Sequence, residues 1–370
     1  MNYITLAIKW RPRSFSELKG QESTVHILCN SILNNRIHHS YIFSGERGIG
    51  KTSIARIFSK SLNCVKGITI DPCQKCDICK NIDNGCFIDL IEIDGASKTK
   101  VEDIKDILDN VYCLPCQGRF RIYLIDEVHM LSQHSFNALL KILEEPPSHV
   151  KFLLATTNLQ KIPCTVLSRC LHFELQPFSI ELIKEHLKFV MENEKFFYEE
   201  KALCFLAKLS KGSMRDALNL LDKSINICKN NYLSLDNIKY FIKIGKKNYA
   251  LKILECLANN EIKSLILIME DAVKNNSCYS YILEKILIYL HKITILQFFP
   301  KWKCIQNFHL SFNKSIQLIA NKIPSQYVQL LYRICLKHYK DIDFAPIPSI
   351  GFEMIIFRML NIQQKFIKNN

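Results

Sequence analysis

The chain has 370 residues, 48% of them hydrophobic, enough for two or three packed domains. Its net charge of +14 suits a phosphate-rich partner, but also the Lys-, Asn- and Ile-rich bias of an AT-rich coding sequence, so charge alone selects no function. No run of about 18 uncharged apolar residues occurs and residues 1–9 lack a secretory leader pattern, so the expectation is a cytoplasmic protein without a membrane span.

Residues 9–15, basic and broken by Pro12, read as an irregular arm. Val25, Leu28, Cys29, Ile32 and Leu33 then recur at helical spacing and should face a core. Residues 39–44 read as a short buried strand. Next comes Gly45-Glu46-Arg47-Gly48-Ile49-Gly50-Lys51-Thr52, which fits G-x-x-x-x-G-K-[ST], the phosphate-binding loop. Ile54, Ile57, Phe58 and Leu62 carry the helix that must follow. In such a loop, backbone N–H groups and the helix N-terminus face phosphate oxygens. Lys51 supplies a point charge to the β/γ-phosphates of ATP, and the Thr52 hydroxyl can ligate Mg²⁺.

A cysteine cluster follows. Cys64, Cys73, Cys76 and Cys79 are spaced C-x8-C-x2-C-x2-C. Overlapping C-x-x-C steps suit tetrahedral Zn²⁺, with no position left open for water, so the expectation is a structural zinc site. Cys86 is an alternative fourth ligand. Cys113 and Cys116 form a second C-x-x-C without a partner pair and read as core or loop thiols. Of the sixteen cysteines, most of the others, such as Cys29, Cys204, Cys256 and Cys335, read as small buried hydrophobes.

Residues 87–94 look like a second strand, leading through Ser97, Lys98, Thr99 and Lys100 to a helix carried by Val101, Ile104, Ile107 and Leu108, with Ser97 or Thr99 as its cap. Residues 121–127 form a buried strand ending in Asp126 and Glu127, the acidic pair that accompanies a phosphate loop. Asp126 would hold Mg²⁺; Glu127 would orient and deprotonate the attacking water. Phe136, Leu139, Leu140 and Leu143 mark a helix stopped by Pro146 and Pro147. Residues 151–158 and 171–175 complete five strands alternating with helices, the pattern of a parallel sheet covered on both faces. Pro177 marks a boundary. Residues 180–243 read as helical throughout, with Gly212 as a helix C-cap and Ser213 capping the helix of Arg215, Ala217, Leu218 and Leu221. A second change falls near Gly245-Lys246-Lys247-Asn248, after which helices such as 282–295 and 326–337 form a bundle without detectable chemistry.

Together these residues resemble one family, the gamma/tau subunits of bacterial DNA polymerase III, the ATPases of the sliding-clamp loader. The resemblance rests on Lys9-Trp10-Arg11-Pro12, the phosphate loop, the four cysteines and Asp126-Glu127-Val128-His129-Met130-Leu131. Glu144-Glu145-Pro146-Pro147, Leu167-Ser168-Arg169-Cys170 and Gly212-Ser213-Met214-Arg215-Asp216-Ala217 complete it. It implies an α/β AAA+ chain: a RecA-like ATPase domain over 1–178 with a zinc module at 64–79, a helical lid over 179–243, and an all-α collar over 244–370. It also implies roles for three more residues: Thr157 as the polar sensor, Arg215 as the lid arginine that senses γ-phosphate, and Arg169 as the arginine finger reaching a neighbouring subunit's ATP. The implied partners are delta and delta-prime type loader subunits, the beta clamp, the polymerase III core and primer–template DNA, within a hetero-oligomeric ring. Because the sequence ends at Asn370, the resemblance is to the short form. Two alternatives stay open: a non-hydrolysing scaffold subunit of the same loader, and a zinc-dependent DNA-binding protein. Arg169 could also be a plain salt-bridge partner, and Lys98 and Lys100 either phosphate contacts or a solvated helix start.

Overall fold

Five short apolar runs pair in parallel into one sheet, in the order β2-β3-β4-β1-β5. The strands are β1 (Ser40–Ser44), β2 (Leu90–Asp94), β3 (Arg121–Asp126), β4 (Val150–Thr156) and β5 (Leu171–Glu174). This computed structural model describes residues 3–96, 110–226, 228, 231–241, 248–275, 277–299, 314–339 and 341–368. The predicted helix through Val101, Ile104, Ile107 and Leu108 lies outside them, as do Ser97, Lys98, Thr99, Lys100, Lys243 and Gly245-Lys246-Lys247. Every residue of β1 and β4 is buried, as expected of central strands covered on both faces. Register places Ser44 beside Thr156 and Glu174, and Asp94 beside Asp126, so the polar strand ends share one edge of the sheet. In parallel α/β sheets that edge is where ligands bind.

Helices α1 (Leu6–Lys9) and α2 (Glu22–Leu33) precede the sheet, and α3 (Lys51–Asn63) and α4 (Asp77–Asn84) follow β1. Leu28, Ile32, Ile54, Phe58 and Ile82 from α2, α3 and α4 pack one face against Tyr41, Phe43 and Leu124. The other face is covered by α5 (Gln133–Glu144), whose Phe136, Leu139 and Leu143 meet Ile42, Tyr123 and Leu154. Helix α6 (Cys164–Leu167) precedes β5. The lid comprises α7 (Ile180–Asn193), α8 (Glu200–Leu209) and α9 (Met214–Ile225).

The structure differs from the sequence expectation in several places. The second strand starts at Leu90 rather than at residue 87, because the Asp89 carboxylate turns away to accept N–H bonds from Cys116, Gln117 and Gly118 at 2.7–2.8 Å. The fourth strand ends at Thr156, leaving Thr157 just beyond it. Residues 180–241 are not helical throughout: Phe197–Tyr198 and Tyr232–Leu233 form a two-stranded parallel ladder, β6 and β7. Gly212 is not the C-cap of its helix; Ser210 is. Lys211 and Gly212 both take left-handed φ values, +49° and +86°, turning the chain so that the Gly212 carbonyl accepts the Phe178 N–H. The opening arm carries the four-residue α1 and is tied to the lid: Lys9 and Trp10 both reach Glu194, and the Tyr3 hydroxyl reaches Asp222.

The chain divides into two compact units, residues 1–235 and 236–370. Helix α10 (Leu235–Phe241) follows the lid. The second unit holds α11 (Tyr249–Asn259), α12 (Ile262–Lys274), α13 (Tyr279–Phe298), α14 (Lys314–Lys322), α15 (Ser325–His338), α16 (Asp341–Phe344) and α17 (Pro348–Lys368). They share one core around Leu254, Leu283, Leu290, Leu331, Phe352 and Met359. Among the described residues, no helix is long and apolar enough to cross a membrane.

One buried charge ties the first unit together. Lys60 on α3 is fully buried; its Nζ donates to Asp83 Oδ1 on α4 at 2.6 Å and to the Arg13 carbonyl at 2.7 Å. Asp83→Ala would leave an ammonium in the core with one neutral acceptor. Breaking such a pair costs about 3 kcal/mol. The expected outcome is a lower denaturant midpoint for the first unfolding transition, with a smaller loss in the double variant Lys60→Met/Asp83→Leu.

Candidate nucleotide site and cysteine centre

The phosphate loop leaves β1 at the polar edge and re-enters helix at Lys51. Gly50 occupies the N-cap of α3 at φ +103°, a conformation that a side chain would strain. Lys51 is 6% exposed, and its Nζ donates to the carbonyls of Gly45 and Glu46, both at 2.8 Å. Burial lowers the Lys51 pKa, while Glu127 and Asp126 oppose that by favouring its charged form. The ammonium is thus already held against the main chain at the start of the loop.

The acidic strand end meets this loop directly. Thr52 Oγ1 donates to Asp126 Oδ2 at 2.9 Å, which brings together a hydroxyl and a carboxylate able to share Mg²⁺. Glu127 has φ +48°, an uncommon left-handed conformation for a residue with a side chain. Its Oε2 accepts from the Thr157 hydroxyl at 2.8 Å and the Thr157 N–H at 3.1 Å. The sequence reading gave Thr157 a sensor role but not this bond, which only the parallel alignment of β3 and β4 creates.

The lid closes on the loop through backbone. The Arg215 N–H donates to the Gly48 carbonyl at 3.3 Å, and Ser213 caps α9 by accepting from Asp216 N–H. The Arg215 side chain itself is exposed. Arg11, to which the sequence reading gave no role at the site, is half-buried in the field of Arg56, Glu92, Arg215 and Asp126, and burial lowers its pKa. Arg169 stands apart from this group. Its guanidinium donates to Glu144 Oε1 at 2.6 Å and to the Thr165 carbonyl at 2.7 Å. Both members of that pair are substantially exposed, 33% and 53%. Exposed pairs contribute little, so the guanidinium can leave Glu144 at small cost.

The cysteine centre begins where α3 ends. The sulfurs of Cys64, Cys73, Cys76 and Cys79 all lie within 4.8 Å of one another. A tetrahedral Zn²⁺ with Zn–S of about 2.3 Å needs S···S edges of about 3.8 Å, so the four sulfurs are already near that shape. Backbone N–H groups of Cys73, Cys76 and Cys79 each point at the sulfur of the preceding cluster cysteine, at 3.4 Å, as suits thiolates. Hydrogen bonds from the Lys75 and Cys76 N–H groups bring the Cys73 pKa to about 6, whereas burial pushes Cys79 well up. Cys86 is exposed and outside the cluster. Cys113 and Cys116 are exposed loop thiols. Cys256 and Cys335 are buried, but Cys29 and Cys204 only partly so.

Comparison with known proteins decides the family. A family model described as DNA polymerase III, delta subunit, matches residues 20–179. One for the clamp loader subunit ATPase lid domain matches 182–230, and one for domain III of subunits gamma and tau matches 244–369. The chain is 45% identical to the DNA polymerase III subunit gamma of Buchnera aphidicola subsp. Schizaphis graminum, over 97% of this chain and 99% of that one. It belongs to the gamma/tau family of DNA polymerase III clamp-loader subunits. It is also 44% identical to the subunit tau/gamma of Haemophilus influenzae and to the subunit tau of Escherichia coli, over 99% and 97% of its own length. It spans about half the length of those two, 52% and 56%. The helices after the parallel sheet fall within the matched ATPase lid model and the matched domain III model of this family.

The seam between loop and lid can be tested at Gly48. Its φ is +78°, and a Cβ there would lie 2.1 Å from Ser213 Oγ and 3.1 Å from Arg215 Cβ. Gly48→Ala should push α9 away from the loop. The expected outcome is an ATP affinity weakened about tenfold or more, with faster proteolysis between residues 176 and 212 and Lys51 chemistry otherwise intact.

Proposed function

We propose that this chain is an ATP-hydrolysing subunit of the clamp loader, divided into an ATPase domain (1–178), a lid (179–243) and a collar (244–370). The observation that carries the reading is the meeting of Thr52 with Asp126 beside a buried Lys51, with Glu127 following in the same turn. The limits of the three matching family models support the division.

In this reading the loop Gly45–Gly50, through N–H groups beyond that of Gly45, and Lys51 bind the phosphates of ATP. Thr52 and Asp126 are the groups that would hold Mg²⁺, which when bound neutralises charge shared by the β- and γ-phosphates. Glu127 orients a water for in-line attack and takes its proton. Arg215 approaches from the lid, held near by the Gly48 carbonyl. Arg169, carried outside this pocket, serves a neighbouring subunit, where a guanidinium covers transition-state charge that one loop leaves bare. The cysteine centre holds a structural Zn²⁺ through Cys64, Cys73, Cys76 and Cys79 and so fixes the far end of α3. The ring includes delta and delta-prime type subunits and acts in the cytoplasm. ATP binding organises it around the beta clamp and primer–template DNA for the polymerase III core.

Two measurements check this. In the reconstituted loader, Lys51→Ala should lose ATP binding. Arg169→Ala should keep it but lose clamp- and DNA-stimulated hydrolysis by about 10³-fold or more; normal turnover in that variant would exclude the trans mechanism, and absent turnover in the wild-type complex would favour a silent scaffold. Separately, one Zn²⁺ per chain is expected by elemental analysis, and Cys79→Ser should lose both metal and cooperative unfolding. A Cys79→Ser variant that folds normally yet loses DNA affinity would instead favour a zinc-dependent DNA reader.

A further inference from the structure

The chain leaves the sheet for the lid over residues 175–179, between β5 and α7. The Leu175 N–H still belongs to the sheet and donates to the Ser44 carbonyl at 2.9 Å. The Phe178 N–H already belongs to the lid and donates to the Gly212 carbonyl at 3.0 Å. Between them, Gln176 is held by a side chain from far back in the sequence. Gln21 Nε2 donates to the Gln176 carbonyl at 2.7 Å, and Gln21 Oε1 accepts the Gln176 N–H at 3.3 Å. Neither the sequence reading nor the family comparison gives Gln21 a role.

Both directions are forced. A main-chain carbonyl can only accept and a main-chain N–H can only donate, so the carboxamide must turn its NH2 to one and its oxygen to the other. Gln21 is 5% exposed and occupies the N-cap of α2, yet its side chain makes no capping bond there. Ser, Thr, Asp or Asn would serve that position better. The residue thus serves the crossing rather than its own helix. Gly20, just before it, has φ +73°, and a Cβ there would lie 2.9 Å from Phe178 Cδ1 and 3.1 Å from Leu182 Cδ1. The Gly20-Gln21 turn therefore sits against both the crossing and α7. Beyond Gly212, the Arg215 N–H meets the Gly48 carbonyl at 3.3 Å. The lid is held at its root by Gln21 and over the phosphate loop by Gly48.

We propose that Gln21 is a positioning residue for nucleotide binding: its carboxamide clamps the Gln176 main chain and so holds the lid at the phosphate loop. This rests on the proposed binding of ATP at that loop. Gln21 touches no nucleotide in this scheme; it acts through the placement of the lid.

The test uses the reconstituted loader with clamp and primed DNA. Gln21→Met removes both bonds at similar volume. KM for ATP should rise about tenfold, the scale of a buried polar pair left unmade, with a smaller change in kcat. Hydrogen exchange should quicken at residues 176–178 and 212–216 and stay slow through β1 and β4. In a Gly48→Ala background, where the seam is already open, Gln21→Met should raise KM by less than about twofold more, whereas independent defects would multiply. Should Gln21→Met fail to assemble, Gln21→Asn decides by the same measurements, because its carboxamide is one methylene too short to keep both bonds. Unchanged KM, a fall in kcat larger than the rise in KM, equally quickened exchange in β1 and β4, or the full loss repeated in the Gly48→Ala background would each overturn the proposal. Failure of the underlying reading is distinct: Lys51→Ala would then bind ATP with wild-type affinity.

Discussion

The hydrogen bond between Thr52 and Asp126 is the contact on which the site depends, because it joins two elements far apart in sequence. Thr52 opens α3, and Asp126 closes β3. Neither residue can hold a metal–nucleotide complex alone. Their meeting is set by the sheet order, in which β1 is separated from β3 by β4 alone. The apolar residues of β1 and β4 therefore do more than form a core. They set the spacing of the polar strand ends to which the chemistry is attached.

Helix α3 extends that dependence in the other direction. It starts at the phosphate loop, is pinned in its last turn by Lys60 to Arg13 and Asp83, and runs into Cys64. One rigid element thus joins the cradle, the opening arm and the cysteine centre. The arm in turn reaches the lid through Lys9 and Trp10 at Glu194. This linkage explains why a basic, proline-broken opening is ordered rather than loose: both of its faces have charged partners waiting.

What could be read in advance was whatever depends on local spacing. The phosphate loop, the Asp126–Glu127 pair and the four cysteines are contiguous patterns whose chemistry dictates residue type at fixed offsets. The five strands were legible because runs such as 152–155 are continuously apolar. Contacts that need the third dimension were not legible. Nothing near Asp89 announces that it will collect three N–H groups from residues 116–118, and nothing near Glu144 marks it as the resting partner of Arg169. The two-residue ladder between Phe197–Tyr198 and Tyr232–Leu233 is too short to impose a period of two, so helical spacing on either side masked it. The turn at Lys211 escaped because a lysine, not a glycine, takes the first left-handed position.

The bond from the Arg215 amide to the Gly48 carbonyl joins main chain to main chain. A pocket whose roof is stitched to its floor by backbone cannot be widened by trimming side chains. A bulkier guest would have to lift both together, and with them every contact the arm makes on the far side. The gap between loop and lid is therefore set at this point by the polypeptide trace rather than by side chains.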